Sequence, residues 1–135
     1  VQGWLVAVAA GLAGLCLLLL LFWWRSTTTA SVEQSRQAAI EFLELIQSGQ
    51  VDQAWESTSA EFKSFIGRDR LRQYVKSYAV LQKPVTLQDC QPADAPVPLL
   101  DYIFAGDDHP ALLVHVLMAS EKGEWKVERL TVDGT

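Results

Sequence analysis

Charge is missing from the first 24 residues, which contain no Asp, Glu, Lys, Arg or His. Cysteine is scarce, with Cys16 and Cys90 alone, so a disulfide-rich scaffold is excluded. Cys90, His109 and His115 are too few for a metal centre and lack C-x-x-C or H-x-x-x-H spacing. Asp107-Asp108 is a turn pair and not a calcium loop. A basic excess is also missing: 11 Lys and Arg stand against 16 Asp and Glu, a formal net charge of −5. A nucleic-acid binder needs a cationic face to meet phosphates, so nucleic acid is not an expected partner. Neither a Gly-rich phosphate loop, nor a Ser-His-Asp arrangement, nor an internal repeat can be found. What is abundant is apolar: half of the 135 residues are hydrophobic, which rules out global disorder.

Trp4 to Trp24 is a stretch of 21 residues with no charge and no Pro. As a helix it reaches roughly 30 Å, the thickness of a bilayer core. Backbone groups in lipid must pair internally, so the stretch is expected to be a transmembrane helix. Trp4 marks one interface, and Phe22, Trp23 and Trp24 mark the other before Arg25 ends the span. A cleaved signal peptide has a shorter apolar region of about 7–15 residues ending in small residues. Trp23-Trp24-Arg25 is a poor cleavage site, although Thr28-Thr29-Ala30 has the right composition. Cys16 follows Leu15 in mid-span, where a lipidation site would want a small residue.

Gly3, Ala7 and Gly11 are spaced four apart, with Ala10 and Gly14 beside them. Such a stripe lets two membrane helices approach closely, so the expected partners are other transmembrane helices as well as lipid. The alternative is that Gly and Ala are simply common in membrane helices. Arg25 alone would place the C-terminal side in the cytoplasm. The chain starts at Val1, however, which leaves room for basic residues upstream, and the acidic remainder fits export. The expected arrangement is a single-pass anchor in the inner (plasma) membrane over residues 1–25, a polar linker over 26–30, and a periplasmic domain over 31–135.

Residues 26–135 carry a net charge of −6 once Arg25 is set aside. Ser31 with Gln34 reads as a capping box. Ala39, Phe42, Leu43 and Ile46 then fall on one helical face, and Gly49 is the natural stop. Val51, Ala54, Trp55 and Thr58 repeat the spacing, and Glu61 to Ile66 adds a turn. Asp69 is placed to cap a third helix with a stripe of Leu71, Tyr74, Val75 and Tyr78.

After Pro84 the period changes to two. Strands are expected near Val85–Cys90, Leu99–Ala105, Ala111–Ala119 and Glu124–Val132, with Gln91–Pro98 as an excursion between the first two. Gly106 to Pro110 forms one turn, and Ser120-Glu121-Lys122-Gly123 forms a tight hairpin. Trp125 and Val127 share one face, whereas Leu130 and Val132 share the other, so a bulge belongs near Glu128-Arg129. The layout is α+β: three helices packed on a curved four-stranded antiparallel meander. The third strand is apolar on both faces. One face meets the helices, and the other needs a cover from its own chain, a second copy or a partner.

Three segments carry a resemblance: Ala38-Ala39-Ile40-Glu41-Phe42-Leu43, the step from Gly49 to Trp55, and Gly123-Glu124-Trp125-Lys126-Val127. Together and in this order they resemble the nuclear transport factor 2-like, or cystatin-like, superfamily, over nearly all of Ser31–Val132. The chain is similar to small membrane-anchored bacterial members. The resemblance implies a cone of helices inside a curved sheet. It does not settle function, because the superfamily includes isomerases, dehydratases and non-catalytic assembly modules.

His115, between Val114 and Val116, is the first candidate for a general base, with Tyr102 or Asp101 as partner. Against it stands a histidine on an outer face. The helical faces expected in the core hold no acidic residue, so no catalytic residue, metal ligand or cofactor is assigned. Lys63, Arg68, Arg70, Arg72 and Lys76 form the one basic cluster, a solvated helix face or a contact for an acidic partner. The expected function is a non-catalytic accessory subunit of a larger membrane complex, respiratory or photosynthetic in type, with a homodimer through the sheet face as a further option. The alternatives are a tethered module binding a small apolar molecule among Trp55, Tyr74, Tyr78, His115 and Trp125, or an isomerase or dehydratase using His115.

Overall fold

The computed structural model describes residues 14–19, 32–93 and 98–134. The chain divides into two units, Val1–Glu33 and Gln34–Thr135. In the first, residues 14–19 are helical with exposed side chains, and open space surrounds Gly14. Among the described residues, no helix is long and apolar enough to cross a membrane. The rest of the expected span lies outside the described residues: Gly3, Trp4, Ala7, Ala10, Gly11, Phe22, Trp23, Trp24 and Arg25. So do the linker and the Ser31 end of the capping box.

The second unit is α+β. Helix α1 covers residues 32–47, and its apolar face of Ala39, Phe42, Leu43 and Ile46 is buried. It ends where the sequence indicates. Gly49 takes φ +83°, its N–H bonds Ile46 O at 3.2 Å, and Gln50 N–H bonds Leu45 O at 2.8 Å. That pair of bonds is a Schellman cap, which a glycine accommodates because it has no Cβ.

Helix α2 is Val51–Glu56, so Thr58 lies beyond it, buried in the following loop. The expected turn at Glu61–Ile66 is a helix of its own, α3, Ala60–Phe65. Its N-cap is Ser59, whose Oγ accepts from Phe62 N–H at 3.1 Å. Helix α4 is Arg68–Ser77, capped at Gly67 and not at Asp69. Asp69 is the second residue inside the helix, past the cap position, and accepts from Arg72 Nη1 at 2.7 Å. A 3-10 turn, Ala79–Gln82, buries Val80 and Leu81 before the sheet begins. Among the described residues of this unit there are thus four α-helices where three were expected. Tyr78 leaves the buried stripe of α4 because the helix stops before it.

The sheet has strand order β1-β2-β3-β4, all neighbours antiparallel. The strands are β1 Val85–Ala93, β2 Leu99–Gly106, β3 Leu112–Glu121 and β4 Glu124–Gly134. β1 is longer than expected: Gln91, Pro92 and Ala93 still pair with Asp101, Leu100 and Leu99. Pro92 is tolerated because β1 is an edge strand. The β3–β4 register slips where Leu117 faces Arg129 and Met118 faces Val127, leaving Glu128 as the extra residue expected from the phase change. A second slip lies between Leu87 and Asp89. The hairpin turn is Lys122-Gly123, with φ +53° and +81°, the two positive values of a twist-matched two-residue turn.

One sheet face carries Leu100, Tyr102, Phe104, Val114, Val116, Met118 and Val127, and these join the helical residues in one core. Phe42 and Phe62 meet edge-to-face at 6.3 Å. Tyr102 is 1 % exposed, and its hydroxyl shares a 2.5 Å hydrogen bond with buried Ser35 of α1. Burial pushes the Tyr102 phenol above its ordinary value, partly offset by the Ser35 bond.

Candidate functional site

His115 points to the face opposite the core, because side chains alternate along β3 and both Val114 and Val116 point inward. Its neighbours in the ladder are Ile103 and Thr131. Its Nδ1 lies 3.1 Å from Asp101 Oδ2, and its Nε2 lies 3.8 Å from Asp133 Oδ2. Of the two expected partners, the structure selects Asp101. Tyr102, one residue on, belongs to the core and is held by Ser35. Asp101 Oδ1 is buried with no hydrogen-bond partner. A His–Asp dyad can exchange a proton, but catalysis also needs a recess that holds a substrate against it. None of the three cavities described below includes His115. Among the described residues, no group of three His, Cys, Asp or Glu side chains could hold a metal ion.

Around the dyad, Leu99, Ile103, Leu113 and Leu117 form a half-buried apolar band. None of the four belongs to the core cluster.

The residues expected to share one pocket are dispersed. Trp55 donates from Nε1 to Ile66 O at 3.0 Å and so ties α2 to the end of α3. Lys63 and Arg68 lie over its ring, 5.4 and 4.9 Å from the centroid. Trp125 lines a cavity of about 310 Å³ beside Phe42, Leu45 and Met118. Tyr74 lines a different cavity of about 250 Å³ between α3, α4 and β4. Tyr78 stands outside it, more than a third exposed, with its ring 4.8 Å from that of Tyr74.

No family model matches this sequence, and a search of curated proteins finds no match.

A recess of about 540 Å³ lies where the end of α1, α2 and α4 meet. Its lining mixes apolar Ile46, Val51 and Val75 with polar Gln47, Gln50, Asp52, Arg72 and Gln82. Arg72 already grips Asp52 through Nε at 2.9 Å and Nη2 at 2.5 Å. That bidentate bond holds the Asp52 carboxyl below its usual range and the guanidinium above its own. Arg68 pairs with Glu56 at 3.2 Å, and Lys63 donates to Glu56 O at 2.9 Å. Of the five basic residues in the cluster, Arg68 and Arg72 are thus paired with carboxylates of the domain itself.

The cavity beside Tyr74 was not legible in the sequence. Buried Phe62 and Leu71 form its floor, and Phe65 at its edge is 69 % exposed. The Arg129 guanidinium lies over the Phe65 ring, 5.4 Å from the centroid. The one available signal was the bulge at Glu128, which resets the direction of the residues after it.

Proposed function

We propose that this chain is a non-catalytic, single-pass accessory subunit of a larger membrane complex, in which the α+β domain docks through its outer sheet face. The observation that carries this reading is the band of Leu99, Ile103, Leu113 and Leu117, apolar yet apart from the core. An apolar surface of this kind is stabilised by a cover, and monomeric surfaces rarely keep one open. The His115–Asp101 pair at its centre supplies polar specificity inside that patch.

The uncharged Trp4–Trp24 segment supplies the anchor, and the stripe of Gly3, Ala7, Ala10, Gly11 and Gly14 offers a close approach to neighbouring helices. The domain is read as a nuclear transport factor 2-like cone on the periplasmic side of the inner membrane. Two features support that: the order of helices before meander, and the two bulges, which bend strands. A respiratory or photosynthetic assembly is the host class.

The test is affinity purification of the tagged full chain from membranes in mild detergent, with a native gel and mass spectrometry on the same sample. Stoichiometric partners that are lost on Leu117→Arg, with the domain still folded, are expected. Recovery of a lone monomer overturns the proposal. Gly11→Leu tests the helix contact separately, and unchanged recovery of partners removes that part of it.

A further inference from the structure

The cavity between α3, α4 and β4 lies at the β4 edge of the sheet, where Arg129 and Thr131 pair with Leu117 and His115 of the proposed docking face, and its chemistry is specific. Its floor is apolar: Phe62 is 2 % exposed and Leu71 is fully buried. Ile66 and Leu130 add apolar wall. Its volume is about 250 Å³, and exposed Phe65 and Arg129 stand at its open edge. That volume equals roughly eight water volumes, yet apolar walls give water too few partners, and such cavities accept apolar molecules instead.

The polar side chains at its edge are Arg129, Tyr74 and Thr131, and each can donate. Arg129 lines the cavity, and among the described residues no carboxylate pairs with it; the Phe65 ring is its recorded contact. Arg68 and Arg72, by contrast, both hold carboxylates. The Tyr74 hydroxyl accepts from Val132 N–H at 2.9 Å, so its own hydrogen remains to be donated. A phenol keeps its hydrogen at neutral pH, and burial pushes the Tyr74 group further above its ordinary value. A guanidinium and a phenolic O–H beside an apolar recess fit an anionic acceptor joined to an apolar body.

We propose that this cavity binds a small amphipathic carboxylate, with its apolar part on Phe62, Leu71 and Leu130 and its carboxylate on Arg129. Phe65, exposed at the edge, packs against the bound molecule and holds the guanidinium over it. The apolar part has room for about eight heavy atoms, the size of a short aryl-alkyl chain.

The test uses the full chain in lipid nanodiscs and 4-phenylbutyrate as probe, with 4-phenylbutanol as its uncharged counterpart. Binding is read by calorimetry and by ligand-observed NMR against empty nanodiscs. Saturable binding of the carboxylate is expected, at least tenfold tighter than the alcohol. Arg129→Gln, at an exposed position, should weaken the carboxylate about tenfold and leave the alcohol unchanged. Leu71→Trp should abolish both; Ile66→Trp fills the same space from the wall should Leu71→Trp fail to fold. Absence of saturable binding to the wild-type chain overturns the proposal. So does equal affinity for acid and alcohol, or an Arg129→Gln variant that binds the acid as well as the wild type.

Discussion

Removing the Tyr102 hydroxyl tests how the helices are fastened to the sheet. In Tyr102→Phe the ring stays in the core and one oxygen disappears. That oxygen joins β2 to α1 through Ser35, residues 67 apart in sequence, and both side chains are buried. A neutral intramolecular hydrogen bond contributes about 1 kcal/mol net, so the expected loss is about 1 kcal/mol. For a unit of this size that lowers the melting temperature by roughly 5–8 °C. Ser35→Ala should cost about the same, while the double variant should cost less than the sum, with a coupling of about 1 kcal/mol. The assay is thermal unfolding followed by far-UV circular dichroism on the wild type, both single variants and the double. A Tyr102→Phe protein melting with the wild type, or a coupling indistinguishable from zero, would refute the reasoning.

Other expectations follow from the same packing and electrostatics. Phe62→Ala should cost about 3–5 kcal/mol, a large share of a domain's stability, because it empties a core site packed against Phe42; denaturant unfolding measures it. Gly123→Ala should cost about 1 kcal/mol through its left-handed φ of +81°, read as a lower melting temperature. Tyr74 and Tyr102 hold their phenolic protons more tightly when folded, so the unfolded chain releases them first. Stability should then fall as pH rises through about 10, and Tyr102→Phe should flatten that limb in denaturation curves taken across it. Asp52 behaves in the opposite sense: Arg72 lowers its value, so its contribution is present above 3.8 and is lost as pH falls. In acid titrations Arg72→Gln should remove this part of the pH dependence, and an unaltered acid limb would count against the pair.

The sequence alone determined whatever depends on one strand or one helix at a time. Alternation located β2, β3 and β4, and the phase slip after Val127 announced the extra residue at Glu128. Gly49 announced the end of α1, because few other residues take a left-handed φ without cost. Alternation also put His115 on the face of Leu113 and Leu117. Short-range capping was harder to read: Ser59 starts α3 through a bond to a backbone N–H three residues on, and Gly67 displaced Asp69 as the cap of α4. An edge position let β1 run through Pro92, which local pattern treats as a break.

Only the tertiary structure decided which side chains meet. Trp55, Tyr74 and Trp125 look alike in sequence, yet they serve a helix junction and two separate cavities. Asp101 reaches His115 and Tyr102 does not, because adjacent residues on β2 face opposite sides of the sheet. Phe65 and Arg129 are 64 positions apart, and the contact arises from the packing of α3 against the edge strand β4. The physical reason is common to all three: a local pattern fixes the direction of a side chain relative to its own backbone. Strand register and helix placement, which no single segment encodes, fix what stands opposite.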